Sequence, residues 1–257
     1  MKKILLIIAA GGSEQLEAAA GALLALEENG AFDGAELHYR ASSGGAPVAA
    51  LHAAGMGAKA ICELIRSMLF DRLCSREPAS IVYSLEGAYK ILCDNLPEKP
   101  ISRCQVAVFD NERCRGRMVL ATPITALASM SFPGLTVTHY INGIEHCDGG
   151  IVNMIPTCSI AEIPAFDHIY MLLAPYDPAP AQSHLPKALQ WALCTRDAEE
   201  HQILNEDRWG DLDNVTILRP ELPYALRKRS YLTRIFSWSE DYCMLDSAYL
   251  HAKGVLA

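Results

Sequence analysis

KILLIIAAGGSEQLEAAAGALLALEENG, residues 3–30, contains three kinds of segment in succession. The apolar run from Lys3 to Ala9, rich in Ile and Leu, is what a strand buried on both faces of a parallel sheet requires. Gly11-Gly12-Ser13 makes a turn. From Glu14 to Asn29 the apolar residues Leu16, Ala19, Ala20, Leu23, Leu24 and Leu26 follow helical spacing, with Ser13 placed to cap the start and Gly30 suited to the αL position after the end. The stretch therefore reads as strand, glycine turn, helix. Lys2-Lys3 followed by Ile4 to Ala10 also has the outline of a secretory signal. That apolar run is at the short limit for one, however, and it leads into a turn that opens a helix.

The same order recurs at Glu36 to Arg40, a short strand, then Ala41-Ser42-Ser43-Gly44-Gly45, then a small-residue helix from Ala46 to Ala54. Two such units predict an α/β/α sandwich, three layers with a mainly parallel central sheet. Further along, Ile61 to Cys74 and Leu85 to Leu96 read as amphipathic helices separated by a break at Arg76 to Ser80. Gln105 to Asp110 and Arg117 to Ala121 read as strands joined as a hairpin through Asn111 to Gly116. Ile169 to Ala174 and Val215 to Leu218 read as buried strands, each with a proline nearby, Pro175 and Pro220. The proline-dense stretch from Pro175 to Pro186 is too short to separate domains, so one domain over residues 1–257 is expected.

Composition narrows the function. With 257 residues and 51% apolar content the chain can bury a sizeable core, and its apolar runs fall short of the roughly 20 residues that cross a bilayer. A net charge of −8 with dispersed Lys and Arg lacks the basic footprint that phosphate backbones attract, so nucleic acid is not an expected partner. Nine cysteines are too sparse for a disulfide scaffold and imply a reducing, cytoplasmic setting with mostly buried, inert thiols. Neither C-x-x-C nor H-E-x-x-H occurs, and no metal or cofactor is expected.

Three short segments carry possible chemistry. Ala41-Ser42-Ser43-Gly44-Gly45 has the size pattern of a nucleophile elbow, small-X-Ser-X-small between strand and helix, in which flanking small residues let the backbone fold tightly under an exposed hydroxyl. Gly11-Gly12-Ser13 exposes consecutive backbone N–H groups at a second strand-to-helix turn, suited to a phosphate or to the oxyanion of a tetrahedral intermediate. A phosphate loop would need G-x-G-x-x-G or G-x-x-x-x-G-K-[ST], but Glu14, Gln15 and Leu16 stand in those places. Asp148, in Asp148-Gly149-Gly150-Ile151-Val152-Asn153, supplies an acid that could serve a serine as general base.

Taken in order, these segments resemble the patatin-like phospholipases, serine acyl hydrolases with a glycine-rich oxyanion loop, a G-x-S-x-G elbow and a later D-G-G. Gly21-Ala22-Leu23-Leu24-Ala25-Leu26-Glu27-Glu28 is similar to that family's G-V-L-K-A-L-E-E helix, Ser129 to Gly134 to its S-x-x-x-P-G stretch, and Asp148 to Pro156 to its D-G-G-L-V-N-N-x-P segment. The resemblance covers about the first 175 residues and is loose beyond them. It implies a Ser43–Asp148 dyad in place of a triad, an oxyanion hole at Gly11, Gly12, Ser13 and Gly44, and hydrolysis of lipid carboxylic esters through an acyl-enzyme, without a cofactor. Ser13, Gln15, Leu16 and Ala41 depart from the family pattern, replacing a glycine, an arginine and two further glycines. A catalytically weak or inactive protein of that fold, binding acyl groups or a partner, is the alternative. A nucleotide binder using Gly11-Gly12 is a second.

Two other features remain open in the sequence. His168 could complete a Ser43–Asp148–His168 triad, although a histidine at a strand start is more often structural. Leu226-Arg227-Lys228-Arg229-Ser230-Tyr231, followed by Arg234, Phe236 and Trp238, mixes cations and rings in the manner of a peripheral membrane contact, or of a solvated helix with its aromatics packed inward.

Overall fold

The computed structural model describes residues 1–67, 82–175, 190, 194, 198–207, 209–227 and 243–257. The chain begins β1 (Lys2–Ile8), α1 (Gly12–Glu28), β2 (Ala35–Ala41), α2 (Gly45–Ala53), α3 (Ala58–Ser67) and α4 (Glu86–Asn95). It continues β3 (Ile101–Asp110), β4 (Arg115–Ala121), α5 (Pro123–Ser129), β5 (His139–Ile141) and β6 (Ile144–Asp148). After short 3₁₀ turns at Gly149–Ile151 and Ile160–Ala165 come β7 (His168–Leu172), β8 (Val215–Leu218), α6 (Tyr224–Arg227) and α7 (Cys243–Leu256). The strands form one sheet in the order β5-β6-β3-β2-β1-β7-β8, with β4 on the other edge of β3. β3-β2-β1-β7-β8 run parallel, and the hairpin strands β4 and β6 lie antiparallel to β3.

β1 sits mid-sheet because its sequence tolerates water on neither face. Ile4, Leu6 and Ile8 enter one core with residues of α1, α2 and α3, while Leu5 and Ile7 enter a second with Ile155, Ile169, Met171 and Trp209. Each of these five aliphatics is at most 1% exposed, and burial of such a side chain is worth about 1.5–3 kcal/mol. The two cores are the two interlayer spaces of an α/β/α sandwich, as expected. α1 is buried nearly all round because α7 covers the side away from the sheet. There Gly21 lets the backbones meet, since a Cβ at this position would strike the Leu245 carbonyl.

The expected elements are present with shifted ends. α1 starts two residues early, at Gly12, so Ser13 lies inside it; Gly11 is the N-cap and no side chain caps the helix. Gly30 is in the αL region (φ 69°), with its N–H on Glu27 and that of Ala31 on Leu26, as a helix C-terminus demands. β3 extends back to Ile101, because exposed Ser102 and Arg103 had masked its start. α3 begins at Ala58, and the remainder of the expected Ile61–Cys74 helix, with the break after it, lies outside the described residues. So does most of the basic-aromatic segment after Leu226.

The expectation of mostly buried thiols needs correcting. Cys62, Cys104, Cys147 and Cys158 are buried, but Cys93, Cys114 and Cys194 are exposed and Cys243 is intermediate; none of these eight is in a disulfide. Among the described residues no helix is long and apolar enough to cross a membrane.

β3 is long enough to serve two partners along one edge. β4 pairs with Gln105–Asp110 on one side, so β2, at Cys104–Val106, and β6, at Val108–Asp110, must share the other. β2 runs with β3 and β6 against it, so the two strands meet nearly end to end. Ala41 lies opposite Val106 and Asp148 opposite Val108, two residues or about 7 Å apart along β3. This register brings the segment after Ala41 to the acid at the end of β6.

Candidate active site

After Ala41 the chain turns sharply into α2. Ser42 N–H extends the ladder to the Ile8 carbonyl, Gly45 N–H closes on Ser42 and Ala46 N–H on Ser43. Ser43 is held at φ 49°, one of three non-glycine residues in the left-handed region among those described, and so in a conformation that costs about 1–3 kcal/mol. Small neighbours are a steric requirement. A Cβ on Gly45 would come within 2.6 Å of Ile8 Cγ2 and 2.8 Å of the Ala9 carbonyl, and one on Gly44 would overlap the Gly12 carbonyl outright. Ala41, the last residue of β2, stays out of the left-handed region, so its methyl group is harmless.

The strained serine points at Asp148. Ser43 Oγ donates to Asp148 Oδ2 at 2.7 Å, Gly150 N–H donates to Oδ1 at 2.7 Å, and Asp148 N–H is held by the Ser131 carbonyl. Asp148 is 2% exposed. Burial raises its pKa to about 7, against the pull of the Ser43 hydroxyl and the Gly150 N–H. Asp110, next but one along the same face of the sheet, is equally buried yet tuned the other way. Burial raises its pKa, but Arg113, through N–H and guanidinium, holds the carboxyl at about 2. Of two neighbouring buried acids, one is permanently ionised and the other can exchange a proton near neutrality.

The glycine turn forms the adjoining wall. Gly12 O and Gly44 are in contact, and α1 and α2 both begin here, so two helix N-termini converge on the serine. Among the described residues the backbone N–H groups of Gly11, Gly12 and Gly44 have no acceptor. Gln15, expected to have cost the loop a positive charge, does not face the site. It is fully buried and its Nε2 donates to the Leu172 carbonyl at 2.8 Å, fastening α1 to β7. Leu16 lies within α1 and faces no left-handed demand.

Other sequence candidates fall away. His168 begins β7 opposite Ile4, four residues or about 13 Å before the strand end where the serine sits, and its Nε2 meets Thr216 Oγ1 at 2.9 Å. It is no triad member. Burial, then the nearby acids, pushes the Cys147 thiol up to about 12 and so leaves it unreactive; Sγ donates to Asn111 Oδ1. Ser129, at the end of α5, has a role the sequence did not assign: its Oγ accepts the Ser43 N–H at 3.1 Å. It opens the Ser129–Gly134 stretch, whose resemblance was its only signal.

Gly44→Ala tests the contact between the two turns. Its φ of −57° suits alanine, so any effect comes from the methyl group striking the Gly12 carbonyl. We expect a melting temperature lower by several degrees; a wild-type melt would refute the close approach.

Fold and site together define a three-layer α/β protein with a serine in a strained strand–helix turn, hydrogen-bonded to a buried aspartate. No family model matches the sequence, and no curated protein matches it. The fold is shared with VipD from Legionella pneumophila (14% identity, TM-score 0.58), of which the chain spans 66% while 99% of the chain is covered. ExoU, solved with SpcU from the type III secretion system of Pseudomonas aeruginosa, aligns at 15% identity and TM-score 0.39, with the whole chain matched to 53% of that one.

Proposed function

We propose that this chain is a serine acyl hydrolase of patatin-like type that cleaves carboxylic esters of lipids, with Ser43 as nucleophile and Asp148 as general base. The observation that carries the reading is the 2.7 Å hydrogen bond from Ser43 Oγ to a buried carboxylate whose pKa lies near neutrality. Ionised Asp148 takes the Ser43 proton as Oγ attacks the ester carbonyl. The tetrahedral oxyanion is held by N–H groups of Gly11, Gly12, Ser13 and Gly44, aided by the α1 and α2 dipoles. Collapse expels the alcohol, which takes the proton from Asp148. Water, deprotonated by the same carboxylate, then attacks the acyl carbon, and Ser43 Oγ leaves with the proton from Asp148 as the acid is released. Ser43 is 9% exposed, so a substrate carbonyl must come close to reach it. The fold shared with VipD and the order of the sequence segments support the same reading.

The test is hydrolysis of p-nitrophenyl esters of increasing acyl length, with labelling of Ser43 by a fluorophosphonate. Its phosphorus bonds to Oγ as fluoride leaves. Turnover with labelling at Ser43 supports the hydrolase; a folded chain that binds fatty acid but does neither supports the non-catalytic alternative.

The pH dependence follows from the raised pKa. A base must be ionised, so kcat/KM is expected to climb through a midpoint near pH 7 and level off above it, rather than near pH 4 as for an ordinary aspartate. A midpoint near pH 4 would show that burial does not raise the Asp148 carboxyl in the free enzyme.

A further inference from the structure

The residues assigned to catalysis end at Asp148, yet a carboxylate far along the chain is spent on the segment just beyond the D-G-G turn. Glu199 Oε2 accepts two successive backbone N–H groups, from Met154 at 2.7 Å and from Ile155 at 3.1 Å. The Met154 carbonyl in turn accepts the Ala10 N–H at 2.7 Å. Ala10 immediately precedes Gly11-Gly12, and its methyl group lies against Gly150, whose N–H holds Asp148 Oδ1. One carboxylate oxygen thus fixes a peptide unit that touches both the oxyanion turn and the loop behind the general base.

We propose that Glu199 is a positioning residue for the Ser43 reaction: by clamping the Met154–Ile155 amides it sets where the Gly11-Gly12 donors stand relative to Ser43 and Asp148. The inference rests on the hydrolase reading above and adds to it a residue beyond the stretch that carries the family resemblance. Hydrogen bonds to an ionised acceptor are roughly twice as strong as neutral ones, and here two N–H groups converge on one oxygen. They are also made where a loop would otherwise be free to shift, since Asn153 to Thr157 belong to no helix or strand. The next residue fixes the clamp itself: Glu200 Oε2 pairs with Arg219 at 2.8 Å, just past β8. Burial raises the Glu199 pKa while its two N–H bonds lower it, as for a carboxylate enclosed with its partners.

The experiment compares Glu199→Ala and Glu199→Gln in the full chain. Alanine removes the acceptor, whereas glutamine keeps an oxygen for the same two N–H groups. Donors displaced by about 1 Å cost about 10²-fold. We therefore expect kcat for a p-nitrophenyl ester to fall about 10²-fold in Glu199→Ala with KM within about threefold, and to return to within about fivefold of wild type in Glu199→Gln. Hydrogen exchange should speed up at Ala10, Met154 and Ile155 in the alanine variant only. Unchanged kcat in Glu199→Ala, equal losses in both variants, or a loss confined to KM would overturn the proposal. Should Glu199→Ala fail to fold, Glu199→Asp, which withdraws the carboxylate by one methylene, is expected to lose about tenfold in kcat, and full activity there overturns the clamp. If wild type hydrolyses no ester, the hydrolase reading fails on its own, and exchange at the three amides still decides: protection indifferent to Glu199→Ala means no clamp exists.

Discussion

Ser43→Ala is expected to abolish ester hydrolysis, by at least about 10⁴-fold in kcat, and to prevent fluorophosphonate labelling, while the chain keeps its fold. The size follows from what is lost. Without Oγ no acyl-enzyme forms, and water would have to attack directly with only the oxyanion donors and binding to help. The fold should survive, because the hydroxyl makes one hydrogen bond and its removal leaves a hole of a single atom. Of two contributions to stability, one is unchanged and the other depends on pH. Alanine is no easier than serine at φ 49°, so the strain persists. The Asp148 carboxylate loses a donor and its pKa rises further, which costs nothing at pH 6, where the carboxyl is already mainly neutral, and something at pH 8. Retained turnover in Ser43→Ala would place the nucleophile elsewhere and remove the basis for the mechanism.

The second large effect is at Asp148. Asp148→Asn keeps the shape, accepts from Gly150 N–H and can donate to Ser43 Oγ, but it cannot take a proton. A drop in kcat of about 10²–10⁴-fold is expected, the range a positioned general base supplies, with loss of the pH midpoint near 7. Stability should move the other way. The folded-state pKa of Asp148 is raised from 3.8 to about 7, so between these values the unfolded chain has shed a proton that the folded chain retains. Folding stability therefore falls as pH rises through this window, and above pH 7 the full cost of a buried, ionised carboxylate is borne. Asparagine carries no such cost. Thermal melts should show Asp148→Asn matching wild type near pH 4 and exceeding it at pH 8, by roughly 4 °C or more for a chain of this size. An inactive variant that is more stable is what a residue kept for chemistry produces. A variant destabilised equally at both pH values would mark Asp148 as a structural hydrogen-bonding residue.

Gln15 shows how a departure from a motif can mislead when only the sequence is in view. It occupies the place of an arginine in the resembling family and reads as a lost charge at the oxyanion loop. In the folded chain its amide lies buried against the Leu172 carbonyl, and the change concerns the packing of α1 on the sheet. Ser13 misled in the same way. Its position suited a cap, but α1 starts one residue before it, because Gly12 at φ 61° can begin the helix from a turn that other residues reach with difficulty.

Local patterning along the chain determined the layered architecture. A strand, a glycine turn and a small-residue helix, written twice, with the first strand apolar on both faces, call for helices on both sides of the sheet, and the elbow's need for small residues beside Ser43 is a steric rule legible in five letters. Long-range geometry decided the rest. That Ser43 meets Asp148, 105 positions later, depends on β3 being long enough to pair with β2 and β6 along one edge, and no periodicity records such an arrangement. The pKa near 7 depends on how much water the assembled core excludes. Glu199 is invisible in the sequence for a simpler reason: its partners are backbone amides, which every residue but proline possesses, so only the folded chain shows which two it holds.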